Sequence, residues 1–145
     1  TRPFTIEAIV LLPDHIHCIW TLPPNDADFS TRWRIIKTMF TRRHLASGGR
    51  ETTRSRSRFQ HGERGVWQRR LWEHTIRSEE HYIGLCDYIQ YNPVKHGYAD
   101  CPHAWPYSSF TRFVREGCYA ATWNCGCKTA QPAVDFSDVS AVVGE

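Results

Sequence analysis

The sequence predicts an α+β domain in which an antiparallel β-sheet packs with amphipathic α-helices. Three observations carry that prediction. One is a period-two stretch interrupted once by Pro13-Asp14. The others are two segments whose apolar residues recur at helical spacing, Phe29 to about Leu45 and the run after Ser78. A chain of 145 residues is one domain by length and can build a real core.

Phe4 to Leu12 is rich in β-branched residues and almost continuously apolar, as expected of a strand covered on both faces. Pro13-Asp14 breaks it, and a second strand through Leu22 returns as the other arm of a hairpin. In that second strand Ile16, Cys18, Trp20 and Leu22 form an apolar face, while His15 and His17 point the other way. Pro23-Pro24-Asn25-Asp26 is a stop and turn. A basic amphipathic helix follows, with Phe29, Trp33, Ile36 and Phe40 on its apolar side and Asp28 or Ser30 as N-cap.

Ala46 to Gly65 has few large apolar residues and much Arg, Ser and Gly. It reads as a mobile loop, of a length that usually means function or disorder. Val66 to Ile76 reads as a further strand anchored by Trp67, Leu71 and Trp72. Ser78 then caps a helix with Glu79 and Glu80 in its first turn, where the dipole favours acids. Its apolar side is Tyr82, Ile83, Leu85, Cys86 and Ile89, and Pro93 is expected to end it at Asn92. Trp105, Tyr107, Phe110, Phe113 and Val114 mark a short packed element. The domain is expected to span 1–123, with a loosely ordered tail over 124–145.

No apolar run approaches the ~20 residues that cross a bilayer, and no secretory signal is visible. The absence of an initiator Met at Thr1 is what a fragment would show. Cys18 and Cys86 fall on apolar faces as small buried hydrophobes. Cys125-Gly126-Cys127 with Cys118 and Cys101 could hold zinc but lacks the usual C-x₂₋₄-C pairs, so all six read as reduced thiols of a cytosolic protein.

The formal net charge is only +3, yet between Arg32 and Arg77 thirteen Lys and Arg face three acids (Glu51, Glu63, Glu73). Such a block points to a polyanion partner or to a solvated basic loop. Two imidazoles two apart on a rigid strand can share one cation. A lone His-x-His is also what ordinary hydrogen-bonded strand histidines look like. Tyr88 and Asn92, four apart on the later helix, share a face. A tyrosine oxygen there can attack phosphorus, and an amide oxygen one turn away can complete a metal held by two histidines. Packed into the core, Tyr88 would instead be ordinary apolar filling.

Four stretches together resemble the REP-associated tyrosine transposases, a branch of the single-tyrosine HUH transposases acting on single-stranded DNA. They are Leu12-Pro13-Asp14-His15-Ile16-His17-Cys18-Ile19-Trp20-Thr21-Leu22-Pro23, Trp67-Gln68-Arg69-Arg70-Leu71-Trp72-Glu73-His74-Thr75-Ile76-Arg77, Asp87-Tyr88-Ile89 with Asn92-Pro93-Val94-Lys95-His96-Gly97, and Trp105-Pro106-Tyr107-Ser108-Ser109-Phe110. They run in the family's order over residues 1 to about 123. The family's additional N-terminal strand and helix have no counterpart before Phe4, which would leave a sheet edge unpaired. The Arg-rich insertion from Gly49 to Arg64 is longer than the family leads one to expect.

The resemblance implies a fold related to the ferredoxin-like arrangement, with His15 and His17 as the metal pair, Tyr88 as nucleophile and Asn92 as a third metal group. It implies Mg²⁺ or Mn²⁺, since oxygen ligands draw the choice away from the zinc or nickel that imidazoles alone would suit. The implied reaction is cleavage and rejoining of hairpin-bearing DNA through a 5′-phosphotyrosine, without a nucleotide cofactor. Arg32, Arg34, Arg42, Arg43, Arg54, Arg56, Arg58, Arg69, Arg70 and Lys95 would track the phosphates, and exposed aromatics would stack on unpaired bases. Glu73 and His74 are expected on a neighbouring strand, either orienting the metal ligands or forming an ordinary salt bridge. The rivals are a decayed module that grips hairpins without cutting and a hydrolase that uses metal-activated water. Monomer and homodimer both remain open.

Overall fold

The computed structural model describes residues 2–69 and 71–126; Arg70 and the expected tail from 127 onward lie outside them. Two strands and four α-helices are found among the described residues: β1 Thr5–Leu11, β2 Ile16–Thr21, α1 Phe29–Ala46, α2 Arg56–Gln60, α3 Glu79–Lys95 and α4 Phe110–Arg115. The α+β class expected from the sequence is the class observed. The chain forms two compact units, one from Phe4–Thr21 with Glu73–Glu145, the other from Thr1–Pro3 with Leu22–Trp72.

In the first unit β1 and β2 form the antiparallel hairpin, with Ala8 opposite Ile19 and Val10 opposite His17. Cross-strand partners share a face. His17 therefore lies on the face of Ala8, Val10 and Ile19, which is the buried one: these residues pack with Leu12, Leu85, Cys86, Tyr88, Ile89 and Phe113. The core thus lies on the His17 side, opposite the apolar face of Ile16, Cys18 and Trp20. Apart from Ile19, the strand residues that draw α3 onto the histidine face come from β1, so β2 alone does not reveal them. The opposite face is not bare. Phe4 lies on Trp20 with ring centroids 4.2 Å apart, and burial pushes the Cys18 thiol up to about 12.

The outer edge of β1 is paired, not open. Leu11 N–H donates to the Tyr107 carbonyl at 2.8 Å and Ser109 N–H to the Ile9 carbonyl at 2.9 Å. The Trp105 indole donates to the Leu11 carbonyl at 2.9 Å. Ser109 Oγ accepts from Ile9 N–H at 3.0 Å and from the buried Gln90 amide at 2.7 Å, linking the strand edge to α3. The Trp-Pro-Tyr-Ser-Ser stretch thus satisfies backbone groups that an edge strand would leave exposed.

Ser78 caps α3 by accepting from His81 N–H, with Glu79 and Glu80 in the first turn. The helix continues through Pro93 to Lys95, past the expected stop. Proline lacks only its own N–H, so one helical bond is lost while its fixed φ still suits the turn. The real terminator is Gly97 at φ +70°. Gly97 N–H bonds the Val94 carbonyl and Tyr98 N–H the Pro93 carbonyl, the paired closure of a Schellman motif.

In the second unit Asp28 caps α1 by accepting from Thr31 N–H. The stretch read as an unstructured loop holds α2, capped by Ser55. It closes on itself where Arg64 makes two bonds to Glu51, at 2.6 and 3.0 Å. The expected strand over Val66–Ile76 is absent: the described residues there are irregular, and Trp72 is exposed. Its apolar positions do not alternate as a strand's would. Trp67 instead packs edge-on against Phe40 at 5.1 Å.

Candidate active site

Every residue of the candidate site comes from the hairpin unit. The turn after β1 presents His15, β2 presents His17 one pleat on, and the C-terminal half of α3 lies against them. The two imidazole centroids are 4.9 Å apart at 84°. His17 and Tyr88 meet in a T-shaped arrangement with ring centroids 5.3 Å apart, and His15 meets His96, the α3 C-cap, also at 5.3 Å.

Tyr88 is 1 % exposed and its ring belongs to the core. Its hydroxyl is nonetheless reached by a charge: Lys95 Nζ donates to it at 3.3 Å and stands 4.9 Å from the ring centroid. Tyr88 and Lys95 are seven apart, two turns along one face of α3.

Asp14 Oδ1 lies 2.7 Å from His15 Nδ1. That hydrogen bond holds the Asp14 carboxyl below its ordinary value, against a smaller opposing effect of desolvation. A carboxylate on Nδ1 fixes the ring and leaves Nε2 as its lone-pair nitrogen, the usual orientation of a metal-ligating histidine. Asn92, one turn beyond Tyr88, is fully buried, and neither its Oδ1 nor its Nδ2 has a hydrogen-bond partner among the described residues. Native structures seldom leave a buried amide so unmatched.

On the far side of Tyr88, Tyr119 donates to Asp87 at 2.5 Å. Burial raises the Asp87 carboxyl and this bond counters it, while burial and then Asp87 raise the Tyr119 hydroxyl. The pair fastens α3 to the segment after α4 without entering the site.

Two curated proteins are similar to this chain over most of its length. One, named REP-associated tyrosine transposase, from Escherichia coli (strain K12), is 46 % identical over 136 residues, covering 94 % of this chain and 68 % of its own. The chain belongs to the REP-associated tyrosine transposase family. The second, a putative REP-associated tyrosine transposase from Haemophilus influenzae (strain ATCC 51907 / DSM 11121 / KW20 / Rd), is 46 % identical over 121 residues, 83 % of this chain and 67 % of that one. A solved structure of a REP-associated tyrosine transposase bound to a REP hairpin is 43 % identical, with a TM-score of 0.69. The match covers 94 % of this chain and 68 % of that one. No family model matches.

The fold of this REP-associated tyrosine transposase family member brings His15, His17 and Tyr88 together, with Lys95 at the tyrosine hydroxyl rather than simply on the surface. Two imidazoles and an amide oxygen are donors that could hold a divalent cation, and the buried Asn92 amide has no hydrogen-bond partner among the described residues. Asp14 and His96 escaped notice in the sequence, although both sit inside the quoted motifs. The available signal was adjacency, Asp14 to His15 and His96 to the helix end.

Other expected site residues have surroundings of their own. Arg32 is not a phosphate contact: it is 2 % exposed, bonded to Asp26 at 2.6 and 3.0 Å and to the carbonyls of Pro3 and Asp28. Its guanidinium is spent on the start of α1, and it holds the Asp26 carboxyl down at about 2. Arg69 pairs with Glu63 at 2.6 Å, Arg54 with Glu51 at 3.8 Å, and Arg58 donates to the Arg64 carbonyl at 3.2 Å. Arg34, Arg42, Arg43 and Arg56 are exposed. Glu73 and His74 are not on a strand; Glu73 is exposed and His74 packs on His81 at 4.8 Å, so the structure does not bring them to the histidine pair.

Proposed function

We propose that this chain is a transposase that cleaves and rejoins single-stranded DNA beside a hairpin, with Tyr88 as nucleophile. The observation that carries the reading is the Lys95 ammonium on the Tyr88 hydroxyl, with His17 in a T-shaped contact with the same ring. The hairpin-bound relative and the two transposase relatives support the substrate class. No helix among the described residues is long and apolar enough to cross a membrane.

In this reading Lys95 stabilises the developing phenolate, and the Tyr88 oxygen attacks the scissile phosphorus. The bond to the 3′ oxygen breaks, giving a 5′-phosphotyrosine and a free 3′-OH. The reverse step joins that phosphate to another 3′ end, so the phosphodiester energy is retained. His15, His17 and Asn92 would hold Mg²⁺ or Mn²⁺, which when bound supplies positive charge to a non-bridging phosphate oxygen. Asp14 orients His15. Arg34, Arg42, Arg43 and Arg56 offer exposed charge to the phosphates, a contribution that weakens as salt rises.

The burial of Tyr88 favours one alternative, a module that grips hairpins without cutting them. Incubation with a labelled single-stranded hairpin and Mn²⁺, resolved on a denaturing gel, separates the two. The transposase gives a covalent protein–DNA band that Tyr88→Phe abolishes. Hairpin binding with neither band nor cleavage supports the gripping module, and cleavage that survives Tyr88→Phe supports a water-using nuclease.

A further inference from the structure

We propose that Cys101, His103 and Cys125 form a zinc site in the reduced protein, apart from the histidine–tyrosine site. One ligand atom of each residue lies within 4.8 Å of the other two. Cys101 and Cys125 are buried and His103 is exposed. Two thiolates and an imidazole are the donors that select zinc over the oxygen-seeking cations of the proposed active site.

The sequence builds this convergence from both sides. Cys101 precedes the three-residue 3₁₀ turn Pro102–Ala104, which presents His103 two positions on. Cys125 arrives from 24 residues away. Gly126 N–H donates to the Asp100 carbonyl at 2.7 Å, so the two backbones run in contact at the site. A Cβ at position 126 would stand 3.0 Å from that carbonyl oxygen, a tight contact that glycine avoids.

In the structure the two sulfurs are joined as a disulfide, against the expectation of six reduced thiols. Contact between their backbones, which the sequence does not display, is the reason. Disulfide and zinc are alternative uses of the same sulfurs. A dithiol reductant supplies two electrons and two protons, giving two cysteine thiols and its own disulfide. Zinc then binds with loss of both thiol protons to solvent. Tetrahedral ligation needs sulfurs roughly 3.7 Å apart, a separation that side-chain rotation can provide. Either state clips the segment after α4 to the turn after α3.

The test uses the full chain, reduced and kept under a non-chelating reductant, titrated with Co²⁺ as a spectroscopic substitute for zinc. Thiolate-to-cobalt charge-transfer absorption saturating at one equivalent, and erased by Zn²⁺, is the expected result. Cys101→Ser and Cys125→Ser should abolish it, and His103→Ala should weaken affinity at least tenfold. Cys118→Ser, and His15→Ala with His17→Ala, should leave it unchanged, since the latter pair offers cobalt no sulfur. His103 is exposed, so its variant tests the site even where a cysteine variant fails to fold. No charge-transfer band in the reduced wild type overturns the proposal. So does a band that persists in Cys125→Ser, depends on Cys118, or keeps its affinity in His103→Ala.

Discussion

Replacing Asn92 with leucine separates what this residue costs the fold from what it offers a ligand. The amide is fully buried and neither polar atom has a partner among the described residues. A buried polar group left unsatisfied costs about 1–3 kcal/mol. Leucine has a similar shape without that penalty, and its better helix propensity adds about 0.4 kcal/mol in α3. Repacking the branched side chain takes back up to about 1 kcal/mol. Metal-free Asn92→Leu should therefore be more stable than wild type by about 0.5–3 kcal/mol, a rise of roughly 2–12 °C in midpoint for a chain of this size. The assay is thermal denaturation in chelator, repeated with saturating Mn²⁺. Wild type should gain stability from Mn²⁺ and the variant should gain much less. If Asn92→Leu is instead less stable in chelator by 1 kcal/mol or more, the amide serves the fold, and the argument for a reserved ligand fails.

Two further predictions concern charged partners. Asp14→Asn should lower Mn²⁺ affinity about 10–100-fold with little change in stability, because the carboxylate orients His15 from an exposed position; equal affinity in a Mn²⁺ titration would remove Asp14 from the site. Asp26 sits at about 2 because Arg32 bonds to it, so its stabilisation is complete above the ordinary carboxylate value of 3.8 and is lost as pH falls through about 2. Asp26→Asn should thus lower the neutral-pH midpoint by several degrees, since the Arg32 guanidinium stays buried without its carboxylate. It should also lose less stability than wild type between about pH 4 and pH 2. Melts at both ends of that range check this, and parallel losses in the two proteins would contradict it.

The hairpin, α1 and α3 were legible because their signals are local: a period-two pattern, an Asp28 or Ser78 cap, and apolar residues at helical spacing. What failed depended on distant partners. The buried face of β2 is decided by Ala8 and Val10 across the hairpin, so the residues flanking His17 do not show that its own face is covered. Arg32 reads as one more cation until Asp26 and the Pro3 carbonyl fold around it. Trp67, Leu71 and Trp72 looked like strand anchors, but a strand exists only where another can pair with it. Pro93 masked the true helix end because losing one hydrogen bond is a smaller perturbation than the left-handed turn at Gly97. Within the site, His15, His17 and Tyr88 were found by residue type and spacing. Lys95 was noticed only as a cation for DNA, and its place at the tyrosine hydroxyl follows from α3 running two turns past Tyr88.

In the proposed reaction the Tyr88 oxygen becomes bonded to DNA. The most direct measurement is mass spectrometry of proteolytic peptides after reaction of the wild-type chain with a single-stranded hairpin substrate and Mn²⁺. A nucleotide adduct, linked through a 5′-phosphate, is expected on the peptide that carries Tyr88 and on that residue within it. An adduct on Tyr82 or Tyr91 of the same helix, or efficient cleavage with Tyr88 unmodified, would contradict it.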